Sequence, residues 1–161
     1  MTDTRTIPQS SISADVVSGV AQFLGPVVVD LTALAVDGKQ AHWHVRGANF
    51  QAVHELLDTI VDHAHDWADT AAERVVALGL PLDVRIQTVG ARTTTPALEA
   101  GFQQSDATIA QVIASIDATL VTVRTAVEEL AELDAVSQDV AIEIARGLDK
   151  DRWFLFAHLA G

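Results

Sequence analysis

The sequence predicts an all-α protein, a bundle of four long helices with one long crossover. Three observations predict it. Apolar residues recur at three- and four-residue spacing through four separate stretches. Gly and Pro are sparse, and turn-forming clusters punctuate the chain near 47–49, 79–81 and 93–96. No stretch alternates convincingly in the two-residue period of a strand. A chain of 161 residues suits one domain with a core of its own.

The elements follow in order. Residues 1–13, rich in Thr and Ser, read as a flexible tail, and 14–161 as the single domain. From about 14 to 45, Val16, Val17, Val20, Phe23, Leu24, Val27, Val28, Leu31, Leu34 and Ala35 mark the first helix, with Ser13 or Asp15 as its cap. Pro26 lies inside this pattern, where proline starts or kinks a helix. A long helix beginning at or before Gly25 is expected. Arg46-Gly47-Ala48-Asn49 breaks the pattern, Gly47 stopping the first helix and Asn49 capping the second. The second helix runs over about 50–78 and ends at Gly79-Leu80-Pro81. Residues 80–100 are weakly periodic and read as a connector with one short helix near 96–101. The third and fourth helices cover about 105–133 and 137–159. A long connection between the second and third helices gives an antiparallel bundle with one crossover.

Composition narrows the function classes. There is no cysteine, which excludes disulfides, thiolate metal sites and cysteine nucleophiles. Acidic residues outnumber basic ones 22 to 10, for a net charge of −12. Such a chain repels phosphate backbones unless its cations cluster, and it attracts metal cations. Ordinary solubility explains the same number. The polar N-terminus lacks the apolar core of a secretory signal, and no apolar run approaches the roughly 20 residues that span a bilayer. A cytoplasmic location is the default expectation.

The second helix carries the chemistry. At about 100° per residue, His54, Asp58, Asp62, His65, Asp69 and Glu73 share one stripe roughly 100° wide. An acidic solvated face is the ordinary explanation for the carboxylates. The histidines argue otherwise, because no Lys or Arg joins the stripe before Arg74, and imidazole with carboxylate is a ligand set for Fe, Mn or Zn. Asp58 and Asp69 are eleven residues apart, or about 16 Å of helix. Metal–ligand bonds near 2 Å cannot join both ends of one straight helix. Two antiparallel copies across a two-fold axis can set His54 and Asp58 against Asp69 and Glu73. His42, on the first helix beside Trp43, is a third candidate ligand. His44 and His63 point elsewhere, and His65 has Asp62 or Asp69 as a simple alternative partner. The Glu-x-x-His pair of a di-iron site within one bundle is absent, as are a zinc-protease motif, a phosphate loop and a nucleophile elbow.

The segment 39-KQAHWHVRGANFQAVHELLD-58, followed by 69-DTAAER-74, resembles the Dps family, the mini-ferritins. The likeness is dense over 39–79 and collinear over the rest, including 134-DAVSQD-139 and 148-LDKDRWF-154. It implies a ferritin-like four-helix subunit, a dodecameric shell, and oxidation of Fe(II) by hydrogen peroxide with Fe(III) mineral stored inside. Carried over residue by residue, it implies His42, His54 and Asp58 from one subunit and Asp69 and Glu73 from its neighbour as iron ligands. Trp43 matches a tryptophan beside the site that takes up an oxidising equivalent. Asp134 and Asp139 match acids lining a three-fold pore for iron, with helix capping as the competing role, and Glu55 matches a cavity carboxylate.

DNA binding is where the chain departs from the family. The tail offers Arg5 against Asp3, and no lysine-rich extension follows Leu159. Two other readings of the same residues are a DNA-condensing shell and a metal-assisted hydrolase activating water at the His/carboxylate site.

Overall fold

In the computed structural model, which describes residues 10–159, four long helices pack around one apolar core. They are α1 (Ala14–His44), α2 (Phe50–Ala77), α4 (Ser105–Leu130) and α5 (Ala135–Ala157), with a short α3 (Ile86–Arg92) in the crossover. The predicted fold class and all four long helices are observed. Residues 1–9 of the expected tail lie outside the described residues.

α1 forms over 31 residues because its apolar positions stay on one side through eight turns. Val20, Leu24, Val27, Leu31 and Leu34 are each 1% exposed or less. Burying a side chain of that size contributes about 1.5–3 kcal/mol. That outweighs the cost of Pro26, which sits inside the helix without ending it and leaves the Gln22 carbonyl without its usual donor. Its counterparts across the core are Leu57 and Ile60 of α2, Ile109, Ile116 and Leu130 of α4, and Ile144, Leu148 and Leu155 of α5. α2 and α5 approach closely at Gly147, where an added methyl would overlap the indole of Trp67. By length and apolarity α1 and α4 are each capable of crossing a membrane, contrary to the sequence expectation, but their apolar faces are used in this core.

The α1–α2 turn sets the end of the bundle that holds the candidate ligands. Gly47 turns the chain at φ +98°, and Asn49 follows at φ 56°. Asn49 occupies the N-cap position as expected, but its side chain makes no capping bond. A two-residue strand that the sequence did not announce, β1 (Val45–Arg46), pairs in parallel with β2 (Gln103–Gln104). Arg46 also lies over the Phe102 ring, 3.1 Å from its centroid. These contacts bring the start of α4 beside the turn, so the crossover runs the length of the bundle and α4 is parallel to α2.

One expected element is misplaced. The short helix is at Ile86–Arg92, and 96–101 is not helical. Gly90 and the β-branched residues around it weaken any local helix signal there. What orders the crossover is distant in sequence. Asp30 of α1, 1% exposed, accepts hydrogen bonds from the Thr93 hydroxyl (3.0 Å), the Thr94 N–H (2.8 Å) and the Thr94 and Thr122 hydroxyls (2.7 Å each). This buried carboxylate ties α1, α4 and the crossover together at Thr93 and Thr94, with Thr93 extended just past α3 (φ −59°, ψ 142°), where a turn into a helix was expected. Smaller corrections concern ends: α4 stops at Leu130, and α5 begins at Ala135 because Asp134 caps it.

Candidate metal centre

The end of α1 and the start of α2 converge on two imidazoles. His42 and His54 stack with ring centroids 3.6 Å apart and planes 21° from parallel. His42 Nδ1 donates to the backbone carbonyl of His54 (2.8 Å), and His54 Nδ1 donates to the carbonyl of His42 (2.9 Å). A carbonyl only accepts, so each Nδ1 carries its proton, and in the neutral ring the lone pair is on Nε2. Orienting a histidine by a hydrogen bond at its other nitrogen is how proteins prepare it as a metal ligand. The reciprocal bonds fix both tautomers and both ring planes.

Asp58 lies one turn beyond His54, with Oδ1 3.9 Å from His42 Nδ1. Its partner is Lys39 of α1, whose ammonium forms an ion pair with Oδ1. The hydrogen bond from Lys39 holds the Asp58 carboxyl below the usual carboxylate range, helped by the nearby His42 and His54. A cation is therefore already at this carboxylate in the isolated subunit.

The other candidates are at the far end of the same stripe. Asp69 and Glu73 are exposed, and their side chains have no hydrogen-bond or ion-pair partner among the described residues. Asp62 and His65, between the two ends, are likewise exposed and unpartnered, so His65 does not pair with Asp62 or Asp69 within the chain. No group of three or more His, Asp or Glu side chains among the described residues is arranged to hold a metal ion. One chain thus presents two separate half sets.

Neighbouring groups divide into those tied up within the chain and those left free. Arg74, next to Glu73, turns to α5, donating to Ser137 Oγ (2.9 Å) and Asp134 Oδ2 (2.7 Å). The same oxygen accepts from the Ser137 N–H (2.9 Å) and hydroxyl (2.5 Å), capping α5. Partial burial pushes the Asp134 carboxyl up, but the Ser137 and Arg74 hydrogen bonds outweigh it and hold it below the usual range. Asp139 is exposed and unpartnered among the described residues. Trp43 is 63% exposed beside the His42 cluster, and exposed Glu55 accepts from Gln51 (2.9 Å). His44 bonds the Gln40 carbonyl and packs near Phe102, away from the ligands. His63 bonds both oxygens of buried Asp151 (3.0 and 3.1 Å), tying α2 to α5. Burial pushes the Asp151 carboxyl up despite that bond.

Three of these residues escaped the sequence reading. Lys39 is legible in principle, one turn before His42 on the same face. Arg74 and Asp151 are not, because their partners lie 60 and 88 positions away.

A family model described as a ferritin-like domain matches residues 24–161. The chain is 32% identical over 152 residues to the DNA protection during starvation protein of Agrobacterium fabrum, covering 94% of each chain. It is 33% identical over 159 residues to the protein of that name from Mycolicibacterium smegmatis, covering 96% of this chain and 83% of that one. Among solved structures, it is similar to Dps from Microbacterium arborescens in its high iron form, with 57% identity and a TM-score of 0.89 over 94% of this chain and 100% of the other.

Proposed function

The chain belongs to the Dps family of ferritin-like proteins, and we propose that it is an iron-storing ferroxidase whose sites are completed between subunits. The observation that carries this reading is the divided ligand set: oriented imidazoles and Asp58 at one end of the stripe, unpartnered Asp69 and Glu73 at the other. A two-fold operation brings the halves together, and closed repetition of such pairs gives a dodecameric shell. The expected location is the cytoplasm.

Iron is the substrate here. Two imidazole nitrogens and a carboxylate are a recognised ligand set for non-haem Fe(II), and further carboxylates, as hard donors, favour Fe(III). Two Fe(II) ions each release one electron. Hydrogen peroxide takes both, its O–O bond breaks, and with two protons it leaves as two waters. No hydroxyl radical is released. Exposed Trp43, beside His42, is the side chain we assign to accept an oxidising equivalent that escapes this stoichiometry. Asp139 is the free acid for an iron path, while Asp134 already has a structural role in the chain.

Co-assembly tests the divided site. Subunits carrying His54→Ala with Asp58→Ala, or Asp69→Ala with Glu73→Ala, each lose rapid ferrous oxidation by peroxide while retaining helical structure. Shells mixed from both regain part of it, because some interfaces recover one complete site. Mixed shells of proven composition that stay inactive would place the centre within one chain.

A further inference from the structure

We infer that Asp62 and His65 form a reciprocal pair across the two-fold axis, Asp62 of each copy meeting His65 of the partner subunit and setting the register of the interface. The inference rests on the proposed pairing of half-sites and adds a contact between them.

Register leads to it directly. Asp62 follows Asp58 by four residues, and His65 precedes Asp69 by four. A two-fold operation that sets Asp58 opposite Asp69 of the partner subunit therefore sets Asp62 opposite His65 of the partner subunit. On the helical wheel Asp62 lies at about +40° and His65 at about −20° from Asp58, inside the stripe that carries both half-sites. The two residues are separated by about 4.5 Å of helix, so the two reciprocal pairs lie close on either side of the axis.

The free chain leaves both groups available. Both are exposed, and neither side chain has a hydrogen-bond or ion-pair partner among the described residues. Electrostatics calls for such a pair. Facing stripes bring Asp58, Asp62, Asp69 and Glu73 of each copy together, and like charges held close resist association. Lys39 answers Asp58 at one end, and bound iron answers the carboxylates at both ends. Between them the stripe carries His65 as its sole basic group, with Asp62, Asp66 and Asp69 as its acidic neighbours on α2.

The test is an exchange of the two residues, with all proposed iron ligands retained. Asp62→His places imidazole against imidazole, and His65→Asp places carboxylate against carboxylate. Either single change is expected to raise the protein concentration at which half of the shells dissociate, read by mass photometry without iron, by roughly tenfold or more. The double exchange rebuilds both pairs with roles reversed and returns that concentration to within about threefold of the original. Shells indifferent to the single changes, or a double exchange no better than either single, overturn the inference. If these results appear while co-assembled ligand variants recover oxidation, the divided site stands and the Asp62–His65 contact alone fails.

Discussion

Removing Asp30 is expected to loosen the crossover far more than a typical single substitution. Its carboxylate accepts four hydrogen bonds, from the hydroxyls of Thr93, Thr94 and Thr122 and the N–H of Thr94. Hydrogen bonds to a charged group contribute about 1.5–3 kcal/mol each. Burying the carboxylate costs several kcal/mol, which offsets part of that. Asp30→Ala is therefore expected to destabilise by about 3–5 kcal/mol, the range for breaking a buried charged network. Asp30→Asn separates bonding from charge. Its carbonyl keeps the bonds from Thr93 and the Thr94 N–H, and its amide donates to the Thr94 and Thr122 hydroxyls once they rotate. About 1 kcal/mol is the expected loss there. Urea unfolding at matched protein concentration measures both, because assembly makes stability concentration-dependent. Hydrogen exchange at Thr94 reports the crossover locally, with protection lost in the alanine variant and kept in the asparagine variant. Alanine and asparagine variants of equal stability, or an alanine loss below about 1 kcal/mol, would refute the reasoning.

Four other outcomes are expected. Lys39→Met frees Asp58 of its resident cation, so the initial rate of Fe(II) oxidation at low iron rises, while a fall would make Lys39 a required part of the site. Asp134 has a lowered pKa, so its contribution is complete above the ordinary carboxylate value of 3.8 and is lost as pH falls through its folded value. Thermal scans of wild type and Asp134→Ala are thus expected to differ at pH 7 and to converge well below that value. Gly147→Ala gains about 1 kcal/mol of helix propensity, but its methyl meets the rigid indole of Trp67, an overpacking that costs about 1–3 kcal/mol or more. A net fall in melting temperature is expected, and a rise would show that Trp67 moves freely. Finally, 22 acidic against 10 basic residues predict no stable gel-shift complex with DNA at neutral pH and about physiological ionic strength without a divalent cation. A salt-sensitive, metal-independent shift would reveal a basic surface created by assembly.

The four long helices and the spacing of the two candidate clusters on α2 were determined by the sequence itself, because both are local. Periodicity along α1 or α2 is set by neighbours three and four positions away. The rise of one helix alone forbids Asp58 and Asp69 from sharing an ion. Tertiary structure decided what depends on partners distant in sequence. The short helix formed at Ile86–Arg92, away from the predicted 96–101, because Asp30 captures Thr93 and Thr94 from more than 60 positions away. A linear reading marks His42 and His54 as candidate ligands but does not say which ring nitrogen of each is free. Only the antiparallel packing of α1 on α2 brings each Nδ1 to the other's carbonyl and so makes Nε2 the candidate ligand atom of each ring. The same packing placed Lys39 on Asp58, while the packing of α2 against α5 gave Asp134 an arginine partner and tied His63 to Asp151. A side chain's type is written in the sequence, but which of its atoms remain free for chemistry depends on the groups that folding brings against it.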